Sequence, residues 1–264
     1  MLTDRGTLIF AQRDPEGLME VIDQDGIRSL YFGTRARQSS MRLADPAELV
    51  LDYTRCMLAG LLFQPQPRRI LLIGLGGGSL ARFLLRHLPE ARIDCAETRA
   101  GVVELARRWF ALPDDPRLAI HLGDGAKFVR DAPAGQYDLI LVDAFDGTGV
   151  HPSVCSRDFH ADCRRALSAS GVLAINLWIT RGSGSRDILK DMALGFGKAV
   201  LRLPVDQRAN LIALAPVRNV TRKDLKQLRE PARELGTRFG LELPGQLRRL
   251  EHANTGLMRR ILHI

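Results

Sequence analysis

The sequence predicts an α/β fold, in which a mainly parallel sheet with helices on both faces follows a small antiparallel sheet. Three observations favour this fold. From Arg69 onwards, short apolar runs alternate with helix-like stretches, as they do in parallel sheets built from strand–helix–strand units. The first of these apolar runs leads into a glycine-rich loop. Residues 1–45 instead carry closely spaced strand-like runs separated by turn sequences.

Residues 1–45 are predicted to form a small N-terminal β-domain. Its strand candidates are GTLIFAQ, GLMEVID and IRSLYFG, with the turn sequences DPEG and DQDG between them. Residues 46–67 are predicted to be a helix and a linker, because helical spacing over 46–63 ends before Pro65 and Pro67. The α/β domain is expected over residues 68–264.

The α/β domain is predicted to contain a seven-stranded sheet. Five strand candidates alternate with helix-like stretches, namely RILLIG, RIDCAE, RLAIHL, YDLILVD and GVLAINLW. Two later runs, KAVLRLPVD and RANLIALA, are separated by a short polar turn. They predict an antiparallel hairpin at the edge of the sheet.

The composition is that of a globular protein, with 45% hydrophobic residues in a chain of 264. The formal charge is +8, but the basic residues near the C-terminus alternate with leucines, as on the solvated faces of amphipathic helices. We therefore do not expect nucleic acid as a partner. No apolar run reaches the ~20 residues of a membrane span, and the charged N-terminal sequence lacks a signal-peptide core. The four cysteines have no metal-site spacing. We therefore expect a cytoplasmic protein that binds neither a membrane nor a metal.

The glycine-rich loop follows the strand candidate RILLIG. Its glycines, which let the chain turn tightly against a ligand, are Gly74, Gly76, Gly77 and Gly78. A helix predicted from about Ser79 points its free N–H groups at the same place. Glu97 ends the next strand candidate, where a carboxylate can bind a ribose diol. Together these parts predict an adenine nucleoside ligand.

A dinucleotide would also fit these parts, but two features argue against it. Asp124 and Gly125 follow the third strand candidate, where an acid suits an adenine amino group; alternatively, Asp124 only caps the next helix. The terminal hairpin after five strand candidates is typical of methyltransferase sheets and not of the dinucleotide-binding fold.

These motifs, in this order, resemble the spermidine synthase-like family, whose members have a small β-domain and a Rossmann-like, methyltransferase-type sheet. The resemblance implies that Gln38, in YFGTRARQSS, contacts the cofactor. It also implies that Glu97 binds the ribose and that Asp124 and Gly125 bind the adenine.

The resemblance extends to LVDAFDGTG, which matches the family's D-x-x-D segment. It implies that Asp143 is the proton acceptor, which agrees with a position at the carboxyl end of a strand, where open α/β sheets bind ligands. Asp146 would hold or polarise the incoming amine, although an Asp-Gly pair also suits a simple turn.

Three departures affect the amine side of the predicted site. Gly77 stands where the family has an aspartate that holds the aminopropyl amine. The family's tyrosine-containing segment, which helps bind the polyamine, is represented here by Tyr53 to Cys56, and Arg55 within it would repel a cationic polyamine if it faced the site. Thr98 and Arg99 replace an apolar residue and an acid. The nucleoside side keeps its expected residues.

The expected function is transfer of an aminopropyl or related alkyl group from an adenosyl sulfonium donor to a small-molecule amine. The donor is decarboxylated S-adenosylmethionine or S-adenosylmethionine, because a loop without an acid tolerates the carboxylate of the latter. An S-adenosylmethionine-dependent methyltransferase of protein or small-molecule amines is the first alternative. A non-catalytic nucleoside-binding or nucleic-acid interaction protein is the second. A homodimer is an option that the sequence leaves open.

Overall fold

A computed structural model of the chain describes residues 2–145, 150–179, 184–206 and 209–255. It has two sheets, as the sequence predicts. The N-terminal sheet is antiparallel with strands in chain order, which are β1 (Leu2–Thr3), β2 (Gly6–Asp14), β3 (Gly17–Gln24), β4 (Ile27–Tyr31) and β5 (Arg37–Arg42).

The second sheet has seven strands in the order β11-β12-β10-β9-β6-β7-β8. Their bounds are β6 (Arg69–Ile73), β7 (Arg92–Glu97), β8 (Leu118–Leu122), β9 (Tyr137–Val142), β10 (Leu167–Trp178), β11 (Leu201–Pro204) and β12 (Asn210–Pro216). The strands β6 to β10 pair in parallel, whereas β12 pairs antiparallel with β10 and β11. The predicted terminal hairpin is therefore present at the sheet edge.

Helices cover both faces of this sheet. In the described residues they are α1 (Asp52–Met57), α2 (Ser79–His87), α3 (Ala100–Trp109), α4 (Gly125–Asp131), α5 (Arg157–Ala166), α6 (Ser185–Phe196), α7 (Arg222–Gln227), α8 (Arg229–Phe239) and α9 (Leu243–Ala253). The central strand β6 shows why two layers are needed. Ile70 and Leu72 pack into the core beneath α2 and α3, whereas Leu71 and Ile73 pack into the core beneath α4 to α6.

The helix predicted over 46–63 is shorter in the structure. It begins only at Asp52 and, after Met57, continues as a 3-10 helix over Leu58–Leu62. The preceding residues form a turn, because the carboxylate of Asp45 accepts a hydrogen bond from the Ala47 N–H and its carbonyl accepts one from the Glu48 N–H. After this turn, α1 packs against β10 and β12, and its Tyr53 hydroxyl reaches Asp143, the residue that follows β9.

The fold brings the carboxyl ends of β6, β7 and β9 together, since β6 lies between the other two. The first helix to follow this strand edge, α2, begins directly after the glycine-rich loop. Ligands of open α/β sheets bind at this edge. No helix in the described ranges is both long and apolar enough to cross a membrane.

Candidate active site

A cavity of about 660 Å³ lies at the carboxyl ends of β6, β7 and β9, a volume typical of small-molecule sites. Its wall includes five of the residue positions predicted from sequence on the nucleoside side, namely Gly74, Gly76, Glu97, Asp124 and Gly125. Gln38 and Asp143 also lie on this wall. The fold therefore brings most of the predicted residues to one place.

The glycine loop passes very close to the segment that follows β9. Gly74 has a φ of 93°, and a Cβ on it would lie 2.3 Å from the carbonyl oxygen of Asp143. Any side chain at this position would push the loop away from Asp143. The glycine therefore keeps the nucleoside side and Asp143 in one cavity.

Gly77 and Gly78 do not lie on the cavity wall. A Cβ on Gly77 would lie 2.8 Å from the Ser39 hydroxyl oxygen and 2.9 Å from a ring carbon of Phe110. Ser39, on β5, also lies 3.1 Å from the hydroxyl oxygen of Ser79 at the start of α2. The N-terminal sheet therefore packs directly onto the loop and fills the space that a side chain at Gly77 would need.

Arg82, on α2, hydrogen-bonds the glycine-rich loop on the side away from the cavity. Its guanidinium is buried, donates to the carbonyl oxygens of Gly77 and Phe110, and donates through Nε to the Pro46 carbonyl. Burial lowers the pKa of Arg82 to about 10, so it stays charged at neutral pH. Arg82 is not among the residues predicted from the sequence, although an arginine among the apolar residues of α2 is a signal that could have identified it.

Glu97 ends β7 and is 8% exposed. One carboxylate oxygen accepts the Leu75 N–H at 2.9 Å, and the other accepts the Arg99 N–H at 3.0 Å. The Thr98 hydroxyl also donates to Oε1 at 3.4 Å. A carboxylate has about four acceptor positions, so one position remains for a ribose hydroxyl, and the Thr98 hydroxyl bond is long enough to be exchanged for a second. Glu97 thus also holds the glycine loop in place.

Asp124 caps α4, because its carboxylate accepts the Lys127 N–H at 2.7 Å. Burial alone would raise the pKa of Asp124, but this hydrogen bond, the Ser153 hydroxyl and His151 outweigh burial and lower it. Both interpretations of Asp124 therefore remain compatible with its position, since it caps a helix and lies on the cavity wall.

Gly125, the next residue, leaves no room for a side chain. A Cβ there would lie 2.3 Å from Ile73 at the end of β6. The start of α4 therefore packs against the strand that leads into the glycine loop.

Asp143 follows β9 and accepts two hydrogen bonds. The Tyr53 hydroxyl donates to Oδ2 at 3.1 Å, and the Asn176 side-chain amide donates to Oδ1 at 2.9 Å. Burial raises the pKa of Asp143 to about 6, and the two hydrogen bonds oppose that rise. Burial, followed by the charge of Asp143, raises the pKa of Tyr53 well above its usual value, so Tyr53 remains a donor. Asp143 is therefore ionised at neutral pH and close to the pKa that suits a general base.

Aromatic side chains line the cavity next to Asp143. The rings of Phe145 and Trp178 lie 5.3 Å apart, centroid to centroid, and both contact the cavity. Asp146 lies outside the described residues, which resume at Val150. Its predicted contact with the amine remains a prediction.

Comparisons with known proteins identify the family. The family model named spermine/spermidine synthase domain matches residues 53–181. The polyamine aminopropyltransferase of Chromobacterium violaceum is 38% identical over 240 residues, which cover 89% of this chain and 90% of that one. This chain belongs to the polyamine aminopropyltransferase family. The resemblance seen in the sequence is confirmed, and the protein is a transferase enzyme.

Two further matches agree with this family. The polyamine aminopropyltransferase of Neisseria meningitidis is 34% identical, over 89% of both chains. The spermidine synthase of Thermotoga maritima has the same fold, with a TM-score of 0.71, 19% identity and coverage of 95% of this chain and 88% of that one. The predicted fold class is therefore confirmed.

At Arg55 and Arg99 this chain differs from the pattern of the polyamine aminopropyltransferase family, and the structure shows where both side chains lie. Arg55 is absent from the cavity wall; it donates to the Leu49 carbonyl and lies 3.6 Å from Glu48. Arg99 does reach the cavity, but it is buried and paired with Asp14 at 2.7 Å. Arg55 therefore does not line the cavity, and the charges of Arg55 and Arg99 are both paired with acidic side chains.

Sequence reasoning missed two asparagines of this site. Asn176 lies in the otherwise apolar run GVLAINLW, and a polar residue in a buried strand is a signal that could have identified it. Asn210 starts β12 and donates to Asn176 at 3.0 Å. Its role depends on strand pairing, and no pattern near it in the sequence marks it.

Proposed function

We propose that this protein transfers an aminopropyl group from decarboxylated S-adenosylmethionine to a small-molecule amine. The observation that supports this most directly is Asp143. It is a carboxylate with a pKa of about 6, held by Tyr53 and Asn176 in a cavity of nucleoside size. Family membership supports the same reaction, since related chains carry the name polyamine aminopropyltransferase.

The donor supplies an electrophilic carbon bonded to a positively charged sulfur. The amine nitrogen attacks this carbon, a C–N bond forms, the C–S bond breaks with its electron pair on sulfur, and neutral methylthioadenosine leaves. The nitrogen loses a proton, which Asp143 accepts. Tyr53 and Asn176 hold the carboxylate of Asp143 in one orientation during this step.

The nucleoside part of the donor fits the residues at the glycine loop. We propose that Glu97 binds the ribose, that Asp124 and Gly125 bind the adenine, and that Gln38 contacts the donor. A side chain at Gly74 would meet the Asp143 carbonyl and displace the loop, so the glycine keeps this wall of the cavity in place. The remaining predicted loop residues, Gly76, Gly77 and Gly78, are proposed to shape the loop, Gly76 on the cavity wall and the other two behind it.

The test is release of methylthioadenosine from decarboxylated S-adenosylmethionine in the presence of a panel of diamines of different length. We expect release that depends on a diamine and is lost in Asp143→Asn. A protein that releases no methylthioadenosine with any amine, yet binds the nucleoside, would contradict aminopropyl transfer.

Methyl transfer from S-adenosylmethionine is the second candidate, because of Gly77. The loop has no acid at this position to repel the carboxylate of that donor. S-adenosylhomocysteine formation in the same amine panel distinguishes the two reactions.

A cytoplasmic location is part of this proposal, and it is supported by the absence of a disulfide among the four cysteines, all of which lie in the described residues. A homodimer also stays a prediction, to be checked by sedimentation.

A further inference from the structure

Asn210 connects to Asp143 through one intermediate side chain. Its Nδ2 donates to Oδ1 of Asn176 at 3.0 Å, and Nδ2 of Asn176 donates to Oδ1 of Asp143 at 2.9 Å. The three residues lie on or directly after three neighbouring strands, β12, β10 and β9. All three lie on the cavity wall.

Strand register explains why the two asparagines meet. In the β10–β12 pair, Asn176 is opposite Ile212 and Trp178 is opposite Asn210. Residues two apart on a strand share a face of the sheet, so Asn176 and Asn210 are diagonal neighbours on the same face. Because Asn176 is 2% exposed, water cannot readily replace either of its partners.

The orientation of Asn176 matters because its amide has a donor end and an acceptor end of the same shape. Only the N–H end can hydrogen-bond an ionised carboxylate. With Nδ2 of Asn210 against its oxygen, Asn176 has to turn its N–H end towards Asp143. Without that donor, the carbonyl end could face Asp143 and favour the protonated acid.

We propose that Asn210 is a positioning residue that fixes the amide orientation of Asn176 and thereby keeps Asp143 available as an ionised proton acceptor. The catalytic part of this inference rests on the proposed function. The orientation of the amide does not.

A test of this proposal has to leave the other titratable groups near Asp143 unchanged. On the elements around it and on the adjoining wall, they are Tyr53, Asp52, His151, Glu97 and Asp124. The other charged side chains of the described wall are Arg99 and residues of the N-terminal sheet and its loops. Asp146 lies outside the described residues and is unchanged in every variant.

The experiment compares two substitutions of Asn210. Asn210→Leu has a similar size and no donor, whereas Asn210→Asp offers only an acceptor when ionised. The midpoint of Asp143 titration is measured by ¹³C NMR of aspartate-labelled protein, with Asp143→Asn to assign the signal. We expect the midpoint to rise by about half a pH unit in Asn210→Leu and by about one unit in Asn210→Asp. The acid limb of kcat/KM for transfer should move by the same amounts, which a merely structural role would not produce.

Ala209→Asp is the matched control, because it adds the same charge at the neighbouring exposed residue and leaves both asparagines in the sequence. We expect its midpoint to move less than that of Asn210→Asp. Methylthioadenosine affinity within about twofold of wild type shows that a variant is folded, and Asn210→Ala replaces Asn210→Leu if the latter does not fold.

An unchanged Asp143 midpoint in the folded Asn210→Leu or Asn210→Ala protein would overturn the inference, as would equal shifts in Asn210→Asp and Ala209→Asp. A wild type that transfers no aminopropyl group would overturn the proposed function, while the NMR titration would still test the role of Asn210.

Discussion

The glycine-loop end of the cavity and its Asp143 end differ in how far along the chain their contacts reach. At the glycine-loop end, Glu97 bonds to Leu75, 22 positions away, and Asp124 caps its own helix. At the other end, Tyr53 reaches Asp143 across 90 positions, and Asn176 reaches it across 33. The first end is largely backbone held by nearby residues, whereas the second is side chains brought together by the whole fold. Substitutions at the two ends should therefore separate binding from turnover.

The largest effect is expected at the Asp143 end. Asp143→Asn is nearly isosteric but cannot accept the proton, so the transfer rate should fall at least ~100-fold. Methylthioadenosine affinity, measured by calorimetry, should change little. The matched control is Asp138→Asn, at the start of the same strand, where the carboxylate bonds to backbone N–H groups of Arg68 and Arg69. That control should keep its turnover, and full activity of Asp143→Asn would place the base elsewhere.

The glycine-loop end should show the opposite behaviour. Glu97→Ala should weaken methylthioadenosine and S-adenosylhomocysteine alike by roughly 1–3 kcal/mol. Part of this loss would come from the loop itself, since the variant leaves the Leu75 and Arg99 N–H groups without their acceptor. Glu97→Gln keeps an acceptor oxygen and should lose less stability than Glu97→Ala. Calorimetry and thermal unfolding of both variants separate the loss of ribose binding from the loss of loop stability. Unchanged affinity for both nucleosides would contradict the proposal that Glu97 binds the ribose.

Because of Asp143, the stability and the activity of the protein should change with pH in opposite directions. Its pKa in the folded protein is about 6 against an ordinary value of 3.8, so the folded state binds the proton more tightly than the unfolded state. The ionised carboxylate therefore destabilises the fold, and this penalty grows as pH rises from about 4 to about 6. Activity, which needs the ionised form, should instead fall below about pH 6.

This contrast can be checked by thermal unfolding. The Asp143→Asn protein should gain melting temperature relative to wild type at pH 8 and lose most of that gain near pH 4.5. A difference between the two proteins that stays constant with pH would mean that Asp143 titrates at its ordinary value.

The same contrast between short-range and long-range contacts explains which parts of the fold and the site could be predicted from the sequence. The strands along the chain, the glycine loop and the place of Glu97 on the cavity wall could be predicted, because each depends on a short pattern that a few neighbouring residues complete. Tyr53 was identified only through resemblance, and Asn210 was not identified at all. Their partners come from strand pairing and from the packing of α1, which no local pattern specifies. The predicted helix over 46–63 was too long because the turn at Asp45 was not recognised.

The smallest effect concerns Gly77, which lies behind the cavity wall and against Ser39 and Phe110. The wild-type loop has no acid that could bind the amine of the decarboxylated donor. The affinities of the wild-type protein for the two donors should therefore differ by less than tenfold, or ~1.4 kcal/mol. An acid at position 77 would lie beside Ser39, a residue of the cavity wall, but its Cβ would also crowd Ser39 and Phe110. Steric strain and charge therefore have to be separated.

Comparing Gly77→Asp with Gly77→Asn does so, because both variants place a Cβ and a group of the same shape against Ser39. We expect both to bind nucleosides more weakly than wild type. Only Gly77→Asp should move the preference towards decarboxylated S-adenosylmethionine, since its charge repels the carboxylate of S-adenosylmethionine. Calorimetric titration of both donors into the three proteins measures this. A wild-type preference above a hundredfold for the decarboxylated donor would show that other residues recognise its amine, and equal preferences in the Asp and Asn variants would show that position 77 does not face the donor's tail.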